Sequence, residues 1–430
     1  MTTAEMFKTL QENLAIDNSA QISQRYGEIT SALNKTFRDT ESKTANTLQV
    51  GSYGRRTAIK GISDLDMLYM MPAGIWAKYK DNGQLKLLQD AKSAIDTRYP
   101  STSTRVDRYV VVVTFQNFEI EVVPVFQLAG GGFLYPDTYD GGSWPTTKPR
   151  EEMKAVTDQD TEKNGNLRHL CKMVRAWKNK HGVGIGGLLI DTLAYNFLKA
   201  RTAYDRTSYQ RHPEMVRDFF EYMKEEPDKE FYLAPGSNQR VRVKNKFQRK
   251  AKKAHTLATK AIDAAGTDAV HNKWKGIFGR PFPPKTGAAK EAEVQKATQS
   301  WDDTEQHIED LFSVDVRYSL RINCEVSQNG FRDFFLRDLV RRKLPLQRKK
   351  SLLFTVEETN VPQPYKVYWK VLNRGGDTYI RNCVRGQILE DDGKERRKEK
   401  TDFRGEHVVD CYIVKNGVVV AKDRIEVPIG

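Results

Sequence analysis

The sequence predicts an α+β protein followed by an all-β sandwich, on three observations. Residues 5–42 carry one helical apolar stripe, with Ile22, Tyr26, Ile29, Leu33 and Phe37 spaced by 4, 3, 4 and 4. Strand-like runs follow at 62–70 and 108–126, and helical periodicity returns from about residue 163. Beyond residue 311 the texture changes to short alternating segments separated by turn residues, as in a sandwich of about 115–120 residues.

Taken in order, the elements justify this reading. After the first helix, Gly51 and Gly54 punctuate a turn that feeds the strand at 62–70. Residues 108–126 read as two strands joined about Gln116 and Asn117. Alternation in 118–123 puts Glu119 and Glu121 on one face and Ile120 and Val122 on the other. Glycine and proline mark 130–149 as a loop. Leu167, Leu170, Met173, Val174 and Trp177 form the core stripe of a helix ending at Gly182, and 185–204 is a more buried helix. Basic, weakly periodic sequence runs to about residue 270. The stretch 281–299 is poor in large apolar residues and reads as a domain linker. Alternation at 314–326, 365–371, 405–414 and 418–427, with a turn at Asn416-Gly417, supplies the sandwich strands. There is no internal repeat.

Composition narrows the class. A chain of 430 residues with 39% hydrophobic and 29% charged residues is long enough for two or three domains and reads as soluble and globular. No apolar run reaches the roughly 18–20 residues of a membrane span, and no secretory leader is legible, so a cytoplasmic setting without membrane contact is expected. Cys171, Cys324, Cys383 and Cys411 show no metal-finger spacing and read as reduced packing thiols. A net charge of +14 favours a polyanionic partner, and the excess clusters at 241–253 and 341–350. Such runs are either solvated faces or phosphate-binding walls. Trp177, Trp274 and Trp369 read as core anchors. His169, His181, His271 and His407 stand in no triad motif, so nucleophilic catalysis has no support.

The chemistry-bearing segment is Gly51-Ser52, then 11 residues, then Asp64-Leu65-Asp66, then Glu121 about 55 residues further on. A strand projects residues i and i+2 together, so Asp64 and Asp66 share a face, and a carboxylate from a neighbouring strand completes an acidic cluster. Such a cluster suits two Mg²⁺ ions (or Mn²⁺) roughly 3.5–4 Å apart, which would serve nucleotidyl transfer. A glycine turn lets backbone N–H groups approach phosphate oxygens. Glu119 shares the face of Glu121 and is the second choice for the third ligand.

The residues VGSYGRRTAIKGISDLDMLYMMP (50–72), RHLCKMVRAWKNKHG (168–182) and WKGIFGRPF (274–282) resemble the SMODS family. These are bacterial oligonucleotide cyclases akin to cyclic GMP-AMP synthase and oligoadenylate synthetase (CD-NTases), within the superfamily typified by DNA polymerase beta. The segments YKVYWKVLNRGGD (365–377), RGQI (385–388) and GEHVVDCYIVKNG (405–417) resemble the AGS-C module fused to some of them. The resemblance implies a polymerase-beta-like nucleotidyltransferase core with an N-terminal spine helix at 1–160, a helical domain closing the nucleotide cleft at 161–300, and an AGS-C-like sandwich at 311–430. It implies metal binding and catalysis by Asp64, Asp66 and Glu121, and nucleotide binding by Gly51, Ser52 and Arg175. The chain has Glu at position 121 where Asp is commoner, and Arg at 175 where Lys is frequent. Gly187-Leu188 stands where some relatives have a Ser-Tyr pair, so the base-stacking group is unassigned. The zinc-binding cluster of the animal cyclase is absent.

The implied substrates are nucleoside triphosphates, ATP or GTP foremost. The implied product is a cyclic oligonucleotide second messenger that acts on a downstream effector in anti-phage (CBASS) defence, with RNA or a small ligand as regulator. Two alternatives stay open: an enzyme making linear oligonucleotides or extending RNA, which the basic runs favour, and an inactive ligand-sensing module.

Overall fold

The computed structural model describes residues 1–116, 118–285, 305–328, 333–342, 344–374, 386–401 and 405–429. Most of the 281–299 stretch, the 375–385 segment, Asn117 and Cys383 lie outside them. The chain divides into two compact units: one comprises 2–176 and 186–243, the other 177–185 and 244–430 together with Met1.

In the first unit the expected long N-terminal helix is two, α1 (Thr3–Asn13) and α2 (Ser19–Arg38). The break falls at Asp17-Asn18-Ser19, residues that favour helix starts over helix interiors. It also frees the Leu14 carbonyl to accept the Lys60 N–H at 2.9 Å. The predicted stripe of α2 is buried at Ile22, Tyr26, Ile29 and Leu33.

The stripe packs on a sheet of β1 (Thr47–Gln49), β2 (Asp64–Met70), β3 (Ser103–Asp107), β4 (Val110–Thr114) and β5 (Glu119–Gln127), in the order β1-β2-β5-β4-β3. Alternation along β2 sends Leu65, Met67 and Tyr69 into the core that holds α2. Asp64, Asp66 and Leu68 project from the opposite face, where Leu68 joins a smaller cluster with Val50, Val125 and Phe133. β4 and β5 form the expected antiparallel pair, closing at Thr114 opposite Glu119. The 130–149 loop contains a small two-rung pairing of Phe133–Leu134 with Thr146–Thr147. Helices Asn166–His181 and Gly187–Lys199 form as expected, and Gly182 adopts a left-handed conformation (φ +60°) after the first. Within the region read as weakly periodic lies an amphipathic helix, His212–Glu225.

In the second unit a five-stranded and a four-stranded sheet face each other. Ile322, Cys324 and Phe354 of one meet Trp369, Cys411, Ile413 and Val420 of the other in a common core. Strands Ser351–Thr359 and Arg396–Lys400 join the expected ones. Asn416 and Gly417 both have positive φ, as the tight hairpin between Gly405–Lys415 and Val418–Ile429 requires. Trp177, Trp274 and Trp369 are core residues, and Cys171, Cys324 and Cys411 are buried free thiols. The basic run at 241–253 is split between strand Arg240–Arg242 and helix Gln248–Asp263. Among the described residues no helix is long and apolar enough to cross a membrane.

Candidate active site

β2 and β5 run parallel, and their register sets Asp64 opposite Glu119 and Asp66 opposite Glu121. Two rungs of paired carboxylates therefore face one side of the sheet, at the inter-strand spacing of roughly 4.8 Å. The rungs differ in what they offer. Glu119 is buried, and its Oε1 accepts hydrogen bonds from Thr114 Oγ1 at 2.8 Å and Arg105 Nη1 at 3.2 Å. Glu121 is half-buried, as are Asp64 and Asp66. Ser63 Oγ donates to Asp64 Oδ1 at 3.0 Å and so orients that carboxylate.

The glycine turn is a short helix, α3 (Gly51–Gly54), set directly against β2. Val50 N–H donates to the Asp66 carbonyl at 3.0 Å. Gly51 has φ +62°, and a Cβ there would lie 1.6 Å from Asp66 Oδ2. The Asp66 carboxylate thus rests on the bare Cα of Gly51, which is why no side chain fits at this position. Ser52 is half-buried, and its carbonyl accepts N–H bonds from Thr57 at 2.9 Å and Ala58 at 3.2 Å, fixing the return of the loop.

Beneath this turn lies a polar network that sequence reading missed. Asp191, wholly buried, accepts Arg55 Nε at 2.9 Å and Thr57 Oγ1 at 2.9 Å on one oxygen, and Arg175 Nη1 at 2.6 Å on the other. Burial alone would raise its pKa, but the two guanidinium groups prevail and hold it at about 2. Burial raises the pKa of Glu152, 3.7 Å from Arg55. Arg175 is therefore buried, with Nη2 donating to the Gly187 carbonyl at 3.1 Å. A side chain at 187 would press on this guanidinium, since its Cβ would sit 3.2 Å from Nη2. The signal for Asp191 was legible: it is the one charge within the apolar run GLLIDTLAYNFL.

The donor set fits a magnesium-type ion by chemistry and by register, being all carboxylate oxygen on adjacent strands. Among the described residues no three His, Cys, Asp or Glu side chains are gathered closely enough to hold an ion unaided.

Residues 1–160 match the Second Messenger Oligonucleotide or Dinucleotide Synthetase (SMODS) domain, and residues 302–430 match the Adenylyl/Guanylyl and SMODS C-terminal sensor domain (AGS-C). The chain carries a SMODS domain and a C-terminal AGS-C domain. It is 25% identical over 191 residues to a cyclic AMP-AMP-AMP synthase of an Acinetobacter strain, covering 42% of this chain and 53% of that protein. It is 18% identical over 205 residues to a probable cyclic nucleotide synthase of Bacillus cereus, covering 40% and 60%. The SMODS protein thus spans between half and three-fifths of the curated relatives it matches. A solved structure of the CdnC:HORMA-deltaN complex from E. coli MS115-1 aligns with a TM-score of 0.49 at 14% identity, over 65% of this chain and 98% of that one.

Proposed function

We propose that this SMODS protein is a metal-dependent nucleotidyltransferase that condenses nucleoside triphosphates into a cyclic oligonucleotide with release of pyrophosphate. The observation that carries the reading is the rung of Asp66 and Glu121 beside Asp64, with the Gly51 turn packed on Asp66. Asp64, Asp66 and Glu121 would hold Mg²⁺. The ion, when bound, supplies charge neutralisation at the α-phosphate and a lowered pKa for the attacking hydroxyl. The N–H groups of Gly51 and Ser52 receive the β- and γ-phosphate oxygens. Arg175 supports binding from below: through Asp191 it braces Arg55 and Thr57, which anchor the turn. The names of the relatives favour a cyclic second messenger as product. ATP or GTP as substrate, a cytoplasmic role in anti-phage (CBASS) signalling through a product-binding effector, and control by RNA or a small ligand at the AGS-C domain complete the proposal.

Incubating the purified protein with labelled ATP, GTP, CTP and UTP and Mg²⁺ or Mn²⁺ tests it. Phosphatase-resistant products are expected. Phosphatase-sensitive ladders would mean a linear product, and no pyrophosphate release from any mixture would refute the enzyme.

A further inference from the structure

The turn joining β3 to β4 is built from Arg108 and Tyr109, and two features set it apart. First, it is rigid. Arg108 makes a two-pronged ion pair with Asp137, Nε to Oδ1 at 2.8 Å and Nη2 to Oδ2 at 2.7 Å. Its carbonyl accepts both the N–H (3.3 Å) and the hydroxyl (2.8 Å) of Thr138, and Asp137 Oδ1 also accepts the Tyr139 N–H at 3.1 Å. The guanidinium stands 5.8 Å from the Tyr109 ring centre and 5.1 Å from that of Tyr139. Tyr109 meets Tyr135 edge to face at 5.8 Å. Second, it exposes large aromatic surface: Tyr109 is 41% exposed and Tyr139 69%. Neither ring fills a core, so fixing them there has no packing rationale.

The turn lies beside the acidic face. In the antiparallel β4–β5 ladder Val112 stands opposite Glu121, so the turn begins three residues from that rung. Tyr135, which Tyr109 meets edge to face, packs on the Leu68 and Val125 cluster of that same face.

We infer that Tyr109, with Tyr139 beside it and Arg108 clamping both, is the platform on which the nucleobase of a bound nucleoside triphosphate stacks. Every base has a π-face, so a tyrosine wall accepts purine or pyrimidine alike. A wall already fixed by the Arg108–Asp137 pair loses little freedom when the ligand arrives. The platform rests on the nucleotidyltransferase reading.

The test measures binding of the α,β-methylene analogue of ATP and, separately, of inorganic triphosphate, each with Mg²⁺, by calorimetry. Tyr109→Ala should weaken the nucleotide analogue roughly 5- to 150-fold and leave triphosphate unchanged. Tyr109→Phe should bind like the parent, and Tyr109→Leu should resemble Tyr109→Ala, because bulk without a π-face does not stack. Tyr139→Ala, at a more exposed position, should give a smaller loss in the same direction with an unchanged melting temperature. Equal losses for both ligands in Tyr109→Ala, or an unchanged affinity for the analogue, would overturn the platform while leaving the enzyme reading intact. If the parent protein binds neither ligand, both readings fall.

Discussion

At the scale of single residues, the acidic face separates two glutamates that the strand pattern alone treats as equals. Glu121 shares a rung with Asp66, and Glu119 is occupied by Thr114 and Arg105. Glu121→Ala should therefore lower nucleotide joining by on the order of 10²-fold or more, the loss of a metal ligand, with little change in melting temperature. Glu119→Ala should do the reverse: activity falls modestly, while stability drops by about 1 kcal/mol as its hydrogen bonds are lost. Paired turnover and urea-denaturation measurements on the two variants decide the assignment. The Asp64→Asn, Asp66→Asn double variant should be inactive with Mg²⁺ and at least as stable as the parent, because it removes repulsion between like charges. Turnover near the parental rate in that variant would refute the mechanism.

At the scale of elements, the network under the glycine turn joins α3 and its following loop to helices Asn166–His181 and Gly187–Lys199 through one carboxylate. Asp191→Asn leaves Arg55 and Arg175 buried beside a neutral amide. It should cost about 3–5 kcal/mol of stability, read as a lower urea midpoint, and weaken triphosphate binding as the turn loosens. The pH dependence has a definite sign. The folded pKa of Asp191, about 2, lies below its ordinary value of 3.8, so its contribution is fully present above about pH 4. It fades as pH falls toward 2, and amounts to on the order of 2 kcal/mol. An acid titration followed by circular dichroism should show a transition in this window that Asp191→Asn lacks.

Elements were also where the sequence was most and least readable. The stripe of α2, the Asp64–Asp66 strand and the Asn416-Gly417 hairpin were legible because each depends on local periodicity or turn chemistry. Helix His212–Glu225 carries a sound signal in Met215, Val216, Phe219, Phe220 and Met223, which the surrounding basic sequence obscured. The Arg396–Lys400 strand, RRKEK, has no apolar residue at all, and only its partner Ser351–Thr359 reveals it. Asp191 shows the remaining limit: its partners Arg175, Thr57 and Arg55 lie 16, 134 and 136 residues away in the chain, beyond the reach of local pattern.

At the scale of the whole molecule, the AGS-C sandwich shares its compact unit with 177–185 and 244–285. Lys178, almost wholly buried, pairs with Asp315 at 2.6 Å. Asn179 donates to the Val314 carbonyl at 2.8 Å and accepts the Val316 N–H at 3.1 Å. Burial opposes charge on Asp315, but Lys178 and Arg317 outweigh it and hold its pKa low. Deleting residues 311–430 strips these partners from a buried lysine and an asparagine. The truncated chain should aggregate or melt far below the full-length protein in size-exclusion and thermal-denaturation experiments. A soluble, cooperatively folding truncation would show the sandwich to be a dispensable appendage.

The parallel pairing of β2 with β5 also has a consequence in time. β2 can close early with β1, its antiparallel neighbour, across a short stretch of chain. Its other edge waits for a strand that begins about 50 residues later, and contacts so distant in sequence form slowly. During synthesis, then, the two aspartates are made well before their glutamate. Until residue 127 has left the ribosome, the half-built sheet presents DLDMLYM with an open hydrogen-bonding edge to whatever is near. The order in which these strands emerge makes the nascent chain, more than the finished protein, the form most in need of a chaperone.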